Sequence, residues 1–175
     1  KQVSDTAKYW IPEQEKINKK NRLIFLKTHC ALCSINDYPF TNSKNSIGAI
    51  YIVRDPRNVI TSIKNHFQLS FEKAFEFLSD QRNALSTFQE NEKNKYFQPL
   101  GSWNNHVNSW IKNKSFPVLK IRYEDLTLST FETFKEIIQF INKITKSSNK
   151  FDRNKAINAI KNTNFERLKN MEKEK

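Results

Sequence analysis

A chain of 175 residues with 30 Lys and Arg against 18 Asp and Glu carries a formal charge of +12, and its length suits one domain, since single domains commonly run to about 100–200 residues. Only 37% of the residues are hydrophobic, but 14 Phe, 5 Tyr and 3 Trp supply core material at roughly 150–250 Å² per aromatic side chain, which argues against a disordered chain. No apolar run reaches the ~18 residues of a membrane-spanning helix, and Lys, Asn and Ile are spread so evenly that the positive charge reads as compositional background rather than a shaped nucleic-acid or lipid face.

The opening KQVSDTAKYW has no apolar core of a secretion signal, and the absence of an initiator Met leads us to expect an upstream start. RLIFLK (Arg22 to Lys27) is a short β-rich run that predicts a buried parallel strand. HCALCSINDYP then reads as loop. Its Cys30 and Cys33 form a lone C-x-x-C, short of the four ligands of a tetrahedral zinc site, so free thiols in a reducing cytosol are expected and no metal. AIYIVR (Ala49 to Arg54) predicts a second strand. Asp55 is a good N-cap and Pro56 suits the first helical position, so RNVITSIKNHF continues as a helix.

Gln68 to Leu100 scatters aromatic residues among polar ones and fits either a helical cap over a pocket or packing for the sheet. Gly101-Ser102 introduces WNNHVNSWIKN, with Trp103, Val107, Trp110 and Ile111 on one face; both Trp residues are assigned to the core. VLKIRY (Val118 to Tyr123) is the third expected strand. FETFKEIIQFINKI is an amphipathic helix with Phe131, Phe134, Ile138 and Ile141 on its stripe. RNKAINAIKN and FERLKNMEKEK read as two more helices. Alternating strands and helices predict an α/β fold, a parallel sheet flanked by helices, in one domain over residues 1–175.

Gly48 and Gly101 are the only glycines, so neither a P-loop nor a G-x-G-x-x-G turn can be built. A bound phosphate would have to rely on side chains and helix starts. Arg54 ends a strand, where ligands meet open α/β sheets, and its guanidinium can hold phosphate bidentately. Ser62 on the next helix could add a hydroxyl donor, and the helix start its oriented N–H groups. His29 lies just past the first strand and could take a proton from an attacking hydroxyl. Lys27, two residues earlier on the same side of a period-2 chain, could stabilise developing negative charge. Taken singly, each has an ordinary alternative: an Arg paired with a carboxylate, a solvent-facing Ser, a structural His.

Together, FLKTH, YIVRDPRNVITS, GSWNNHVNSW, FPVLKIRYEDL and NFERLKN, in this order, resemble the cytosolic-type sulfotransferase family, especially its bacterial members, from about Leu23 to the end. The resemblance implies an α/β enzyme related to P-loop kinases that moves a sulfuryl group from 3′-phosphoadenosine 5′-phosphosulfate (PAPS) to a hydroxyl or amine of a small-molecule acceptor, without a metal, in the cytoplasm. Carried over, Arg54 and Ser62 would hold the 3′-phosphate, His29 would be the catalytic base and Lys27 would stabilise the transferring group. Tyr123 would contact the adenine end, with Thr163 and Phe165 also lining the nucleotide. Leu168 would preserve apolar packing, and acceptor choice would fall to Gln68–Leu100 and Cys30–Pro39.

The family's Lys-Ser/Gly-Gly-Thr-Thr-type loop and its C-terminal Arg-Lys/x-Gly segment are missing, and Asn58 stands where an Asp is usual. The domain is therefore expected to be incomplete at both ends. Two other readings are an inactive adenosine-phosphate-binding module and a basic nucleic-acid-binding protein; the latter lacks any recognisable binding motif.

Overall fold

The structure, a computed structural model, describes residues 4–19, 22–86, 97–163, 167 and 169–171. Along the chain come α1 (Ser4–Ala7), α2 (Trp10–Asn18), β1 (Ser34–Ile35), β2 (Tyr38–Pro39), β3 (Ala49–Val53), α3 (Pro56–Phe67), α4 (Phe71–Ser79), β4 (Ala84–Ser86), β5 (Phe97–Pro99), α5 (Trp103–Ile111), β6 (Val118–Arg122), α6 (Tyr123–Leu128), α7 (Thr130–Thr145) and α8 (Arg153–Asn162). They fall into two compact units, one of Lys1–Ala49 with Arg54–Val118 and one of Ile50–Val53 with Leu119–Lys175.

The parallel sheet of this α/β fold is the pair β3 and β6. The Ala49 N–H donates to the Pro117 carbonyl at 3.0 Å, so the two strands start side by side and run the same way, as a long crossover connection allows. The first expected strand is not there. Arg22 to Lys27 joins no ladder among the described residues, and Leu23, Phe25 and Leu26 are 50%, 68% and 65% exposed. Strand preference measures the fit of a side chain to a pleated, half-buried surface. RLIFLK has the composition for one but no neighbouring strand among these residues to pair with.

In the first unit the helix signals hold. The Asp55 carboxylate caps α3 by accepting the Arg57 N–H at 2.9 Å, with Pro56 in the first turn. Ser70 and Ser102 cap α4 and α5 in the same way. Gln68–Leu100 contributes α4 and the antiparallel hairpin β4–β5. The two-residue turn of the β1–β2 hairpin, Asn36-Asp37, has both residues at positive φ, the twist that short hairpin turns favour.

Helix α2 has no buried residue and is held in part by polar contacts: Gln14 Nε2 donates to the Phe40 carbonyl at 2.7 Å and Gln14 Oε1 accepts from Thr41 Oγ1 at 2.6 Å. Pro12 lies in its first turn, where a missing N–H costs nothing. Trp10, Phe40 and Trp110 meet edge to face in a row, at 5.4 and 6.5 Å between centroids. Trp110, Phe116, Ile60, Cys30 and Ala31 are buried.

Gly101 links hairpin to helix at φ +64, and a Cβ there would meet the Gln81 carbonyl oxygen at 3.4 Å. The Leu100 and Gly101 N–H groups both donate to the Asn83 carbonyl, at 2.8 and 2.9 Å. These contacts fix the point at which α5 starts.

In the second unit Ile121 of β6, Thr133 of α7 and Ala156 of α8 are buried. The Thr133 hydroxyl lies 3.0 Å from both the Asp125 and Ser129 carbonyls, which ties α7 to the end of α6. Phe131 packs edge to face on Phe151 at 5.9 Å, with the Arg153 guanidinium 4.8 Å above the Phe131 ring. The Asp152 side chain caps α8 by accepting the Lys155 N–H at 3.0 Å. Of the last expected helix, residue 167 and residues 169–171 are helical; Phe165, Leu168 and the last four residues lie outside the described residues.

The buried indole of Trp110 donates to the Cys30 carbonyl at 3.1 Å. Trp110→Phe keeps a ring in the core but removes that donor, and should lower unfolding free energy by about 1–3 kcal/mol, measured by urea denaturation.

Candidate active site

His29 and Lys27 lie on the unpaired segment that leads into the Cys30–Cys33 loop, and both are exposed. They do not share one side of a strand, because that segment is in no strand among the described residues. What organises the site is the backbone just after the His29 side chain.

The peptide plane joining His29 to Cys30 is held at both ends. Its carbonyl accepts from His106 Nε2 at 3.0 Å, and its N–H donates to Thr28 Oγ1 at 3.0 Å. In the next plane the Cys30 carbonyl accepts from Trp110 Nε1 and the Ala31 N–H donates to the Pro99 carbonyl at 2.7 Å. In the third, the Leu32 N–H donates to Ser109 Oγ at 3.0 Å, while that hydroxyl donates to the His106 carbonyl at 2.7 Å. A peptide unit is rigid, so these bonds fix three successive planes.

Three of the partners, His106, Ser109 and Trp110, come from one face of α5. In the sequence only Trp110 of the three stands out, as a core residue; His106 and Ser109 do not. The available signal was their spacing: side chains at i, i+3 and i+4 share a helix face, and all three carry an N–H or O–H group.

Because a carbonyl only accepts, the contact at His29 requires a proton on His106 Nε2. Burial pulls the His106 pKa below its ordinary 6.5, against the hydrogen bond to His29, and the nearby His29 imidazole lowers it further. Both cysteines are free thiols. Burial pushes both pKa values up; Thr28 partly opposes this at Cys30, and Cys30 adds to it at Cys33. Little thiolate is left at neutral pH for metal binding or exchange.

Arg54 is exposed between β3 and α3, and Ser62 is exposed on α3. Ser62 follows Asp55 by seven positions, so it returns to the same side of the helix two turns along, about 10 Å away. The helix start does not supply the open N–H groups that the sequence suggested. Pro56 has none, Arg57 donates to the Asp55 carboxylate, and Asn58 and Val59 donate to the Asp55 carbonyl at 3.0 and 3.1 Å. An anion here must be met by side chains.

In the second unit, Tyr123 opens α6 and is 41% exposed, and Thr163 ends α8 with its hydroxyl donating to the Ala159 carbonyl at 2.8 Å. Phe165 lies outside the described residues. An apolar groove of about 470 Å³ between α3, α4 and α5, lined by Pro56, Ile60, Phe75, Leu78 and Trp103, contains neither His29 nor Arg54. Among the described residues no group of three or more His, Cys, Asp or Glu stands ready for a metal ion, and no helix is long and apolar enough to cross a membrane.

The family model described as "Sulfotransferase domain" matches residues 7–175. The chain belongs to the sulfotransferase family. It is 30% identical to Sulfotransferase 2A6 of Rattus norvegicus over 95 residues, 54% of this chain and 31% of that protein. It is 27% identical to Sulfotransferase 1A1 of Rattus norvegicus and 26% identical to that of Mus musculus, in each case over 119 residues, 67% of this chain and 38% of the relative. The chain thus matches between 31% and 38% of the length of these curated relatives. Membership explains why FLKTH, YIVRDPRNVITS and GSWNNHVNSW occur in this order, and the sulfotransferase segment that carries His29 is the one that α5 secures.

Since burial lowers the His106 pKa from 6.5, the unfolded chain takes up this proton more readily than the folded one, and the stability contribution is lost as pH falls. The melting temperature of the parent relative to His106→Gln should therefore drop between about pH 7.5 and about pH 5.5, as followed by circular dichroism. A difference independent of pH would contradict the half-buried neutral imidazole.

Proposed function

We propose that this chain supplies the acid–base and 3′-phosphate-binding parts of a PAPS-dependent sulfotransferase, acting in the cytoplasm on a small-molecule hydroxyl or amine, within a single longer domain. The observation that carries the reading is an exposed imidazole, His29, set immediately before three fixed peptide planes in a chain of the sulfotransferase family. A group that must meet an attacking oxygen within hydrogen-bond reach gains from such a mount. The two free thiols suit a reducing compartment, which supports the cytoplasmic part.

In this mechanism the acceptor oxygen attacks sulfur as His29 takes its proton. The bond from sulfur to the bridging phosphate oxygen breaks, and adenosine 3′,5′-bisphosphate leaves with the electron pair. Lys27 stabilises charge on the transferring group. Arg54 and Ser62 hold the 3′-phosphate, and Tyr123, Thr163 and Phe165 line the nucleotide. The scheme requires no metal.

Two measurements test it. In calorimetric titration with adenosine 3′,5′-bisphosphate, Arg54→Ala should lose roughly 1.5–3 kcal/mol of affinity, and equal affinity would sink the anchor. In the full-length protein, His29→Ala should lower turnover from radiolabelled PAPS to 2-naphthol, n-hexanol or aniline, whichever is accepted, by about 10²–10⁴-fold with bisphosphate affinity nearly constant. A folded variant at parental turnover would remove the base assignment.

A further inference from the structure

We propose that His106 is a positioning residue for the reaction: through its Nε2–H bond to the His29 carbonyl it orients the catalytic imidazole. The inference rests on His29 being the base. The carbonyl that His106 holds belongs to His29 itself, and the N–H of the same peptide plane is held by Thr28 at 3.0 Å. The Thr28 bond closes a ring that spans the N–Cα and Cα–C bonds of His29 and restrains both rotations, and the His106 bond fixes where that ring sits. Thr28 is a sequence neighbour and can move together with His29. His106 lies 77 residues away, on a helix whose start is set by the Ser102 cap and the left-handed Gly101, so it ties the base to the body of the unit.

His106 is half-buried, and its burial favours the neutral ring. A neutral ring fixed as the Nε2–H tautomer donates to the carbonyl without placing a second positive charge beside an imidazole that must become protonated during turnover. A Lys or Arg in this place would donate equally well but would oppose that protonation. The reacting geometry is sensitive to this anchor, because a misplacement of ~1 Å costs on the order of 10²-fold in rate.

The test is steady-state turnover of the full-length protein with radiolabelled PAPS and 2-naphthol. His106→Phe should lower kcat about 10–100-fold while the donor KM stays unchanged. His106→Gln, whose side-chain amide offers an N–H near the place of Nε2, should recover most of that loss. The double variant His29→Ala/His106→Phe should be as slow as His29→Ala alone, because a residue that acts only through His29 has nothing left to act on.

Parental kcat in His106→Phe overturns the inference, and so does a double variant slower than His29→Ala, which would mean that His106 acts on the reactants directly. Parental kcat in His29→Ala overturns the base reading instead, so the two failures are told apart. If His106→Phe does not fold, or 2-naphthol is not accepted, nitrogen NMR of the parent at neutral pH decides: a proton on His106 Nε2 supports the inference and one on Nδ1 overturns it.

Discussion

Backbone that leaves regular structure and passes into a protein interior must still have its N–H and C=O groups satisfied, and the segment from His29 to Leu32 meets this demand largely through side chains of α5. Ordering four residues costs about 4–8 kcal/mol of backbone entropy at ~1–2 kcal/mol each. The five hydrogen bonds, from or to Thr28, His106, Trp110, Pro99 and Ser109, return about 2.5–7.5 kcal/mol at ~0.5–1.5 kcal/mol net each. The two sums nearly cancel, so the burial of Cys30 and Ala31 decides the balance. A loop in this condition stays ordered only while most of its bonds are made. The geometry around His29 therefore depends on α5, and α5 depends on the hairpin and on Gly101, whose N–H is held by Asn83.

The same dependence explains what could be read from the sequence. Caps and helical periodicity are local, and Asp55-Pro56, Ser102, the Phe131 to Ile141 stripe and the RNKAINAIKN segment behind Asp152 all predicted helices that are present. AIYIVR and VLKIRY were legible as strands because each is a short β-rich run. RLIFLK carried the same signal and failed, since pairing is a property of two segments and a single segment cannot report its partner. Helix α2 escaped because Gln14 contacts and a single ring, Trp10 at its start, hold it, and no apolar stripe marks it. The hairpins are two or three residues per strand, too short for a period of two to register. At the site, His29, Lys27, Arg54 and Ser62 stood out by residue type and motif. His106 and Ser109 did not, because their partners are backbone groups 77 residues away, and no spacing rule reaches that far.

Anion recognition without glycine imposes a different constraint. A phosphate cradle of backbone N–H groups needs residues that let the chain approach closely and turn at positive φ, and this chain has two glycines. The first turn of α3 is the next possibility, but its N–H groups are engaged by Asp55. The cap that makes the helix start well also closes it to a ligand and puts a carboxylate next to Arg54. A carboxylate within ~6 Å of a phosphate costs about 0.7–2.8 kcal/mol per unit of ligand charge at an effective dielectric of ~80 down to ~20.

Arg57 offsets this. Its Nε lies 3.0 and 3.1 Å from the two Asp55 oxygens, and the pairing raises the guanidinium pKa above its ordinary value. Asp55 thus serves the helix as a neutralised cap. Exchanging Arg57 for an uncharged residue would leave the helix capped but restore the negative field of Asp55 at its start. If Arg54 holds the 3′-phosphate as proposed, its loss would remove a ligand, whereas loss of Arg57 would expose the repulsion of Asp55.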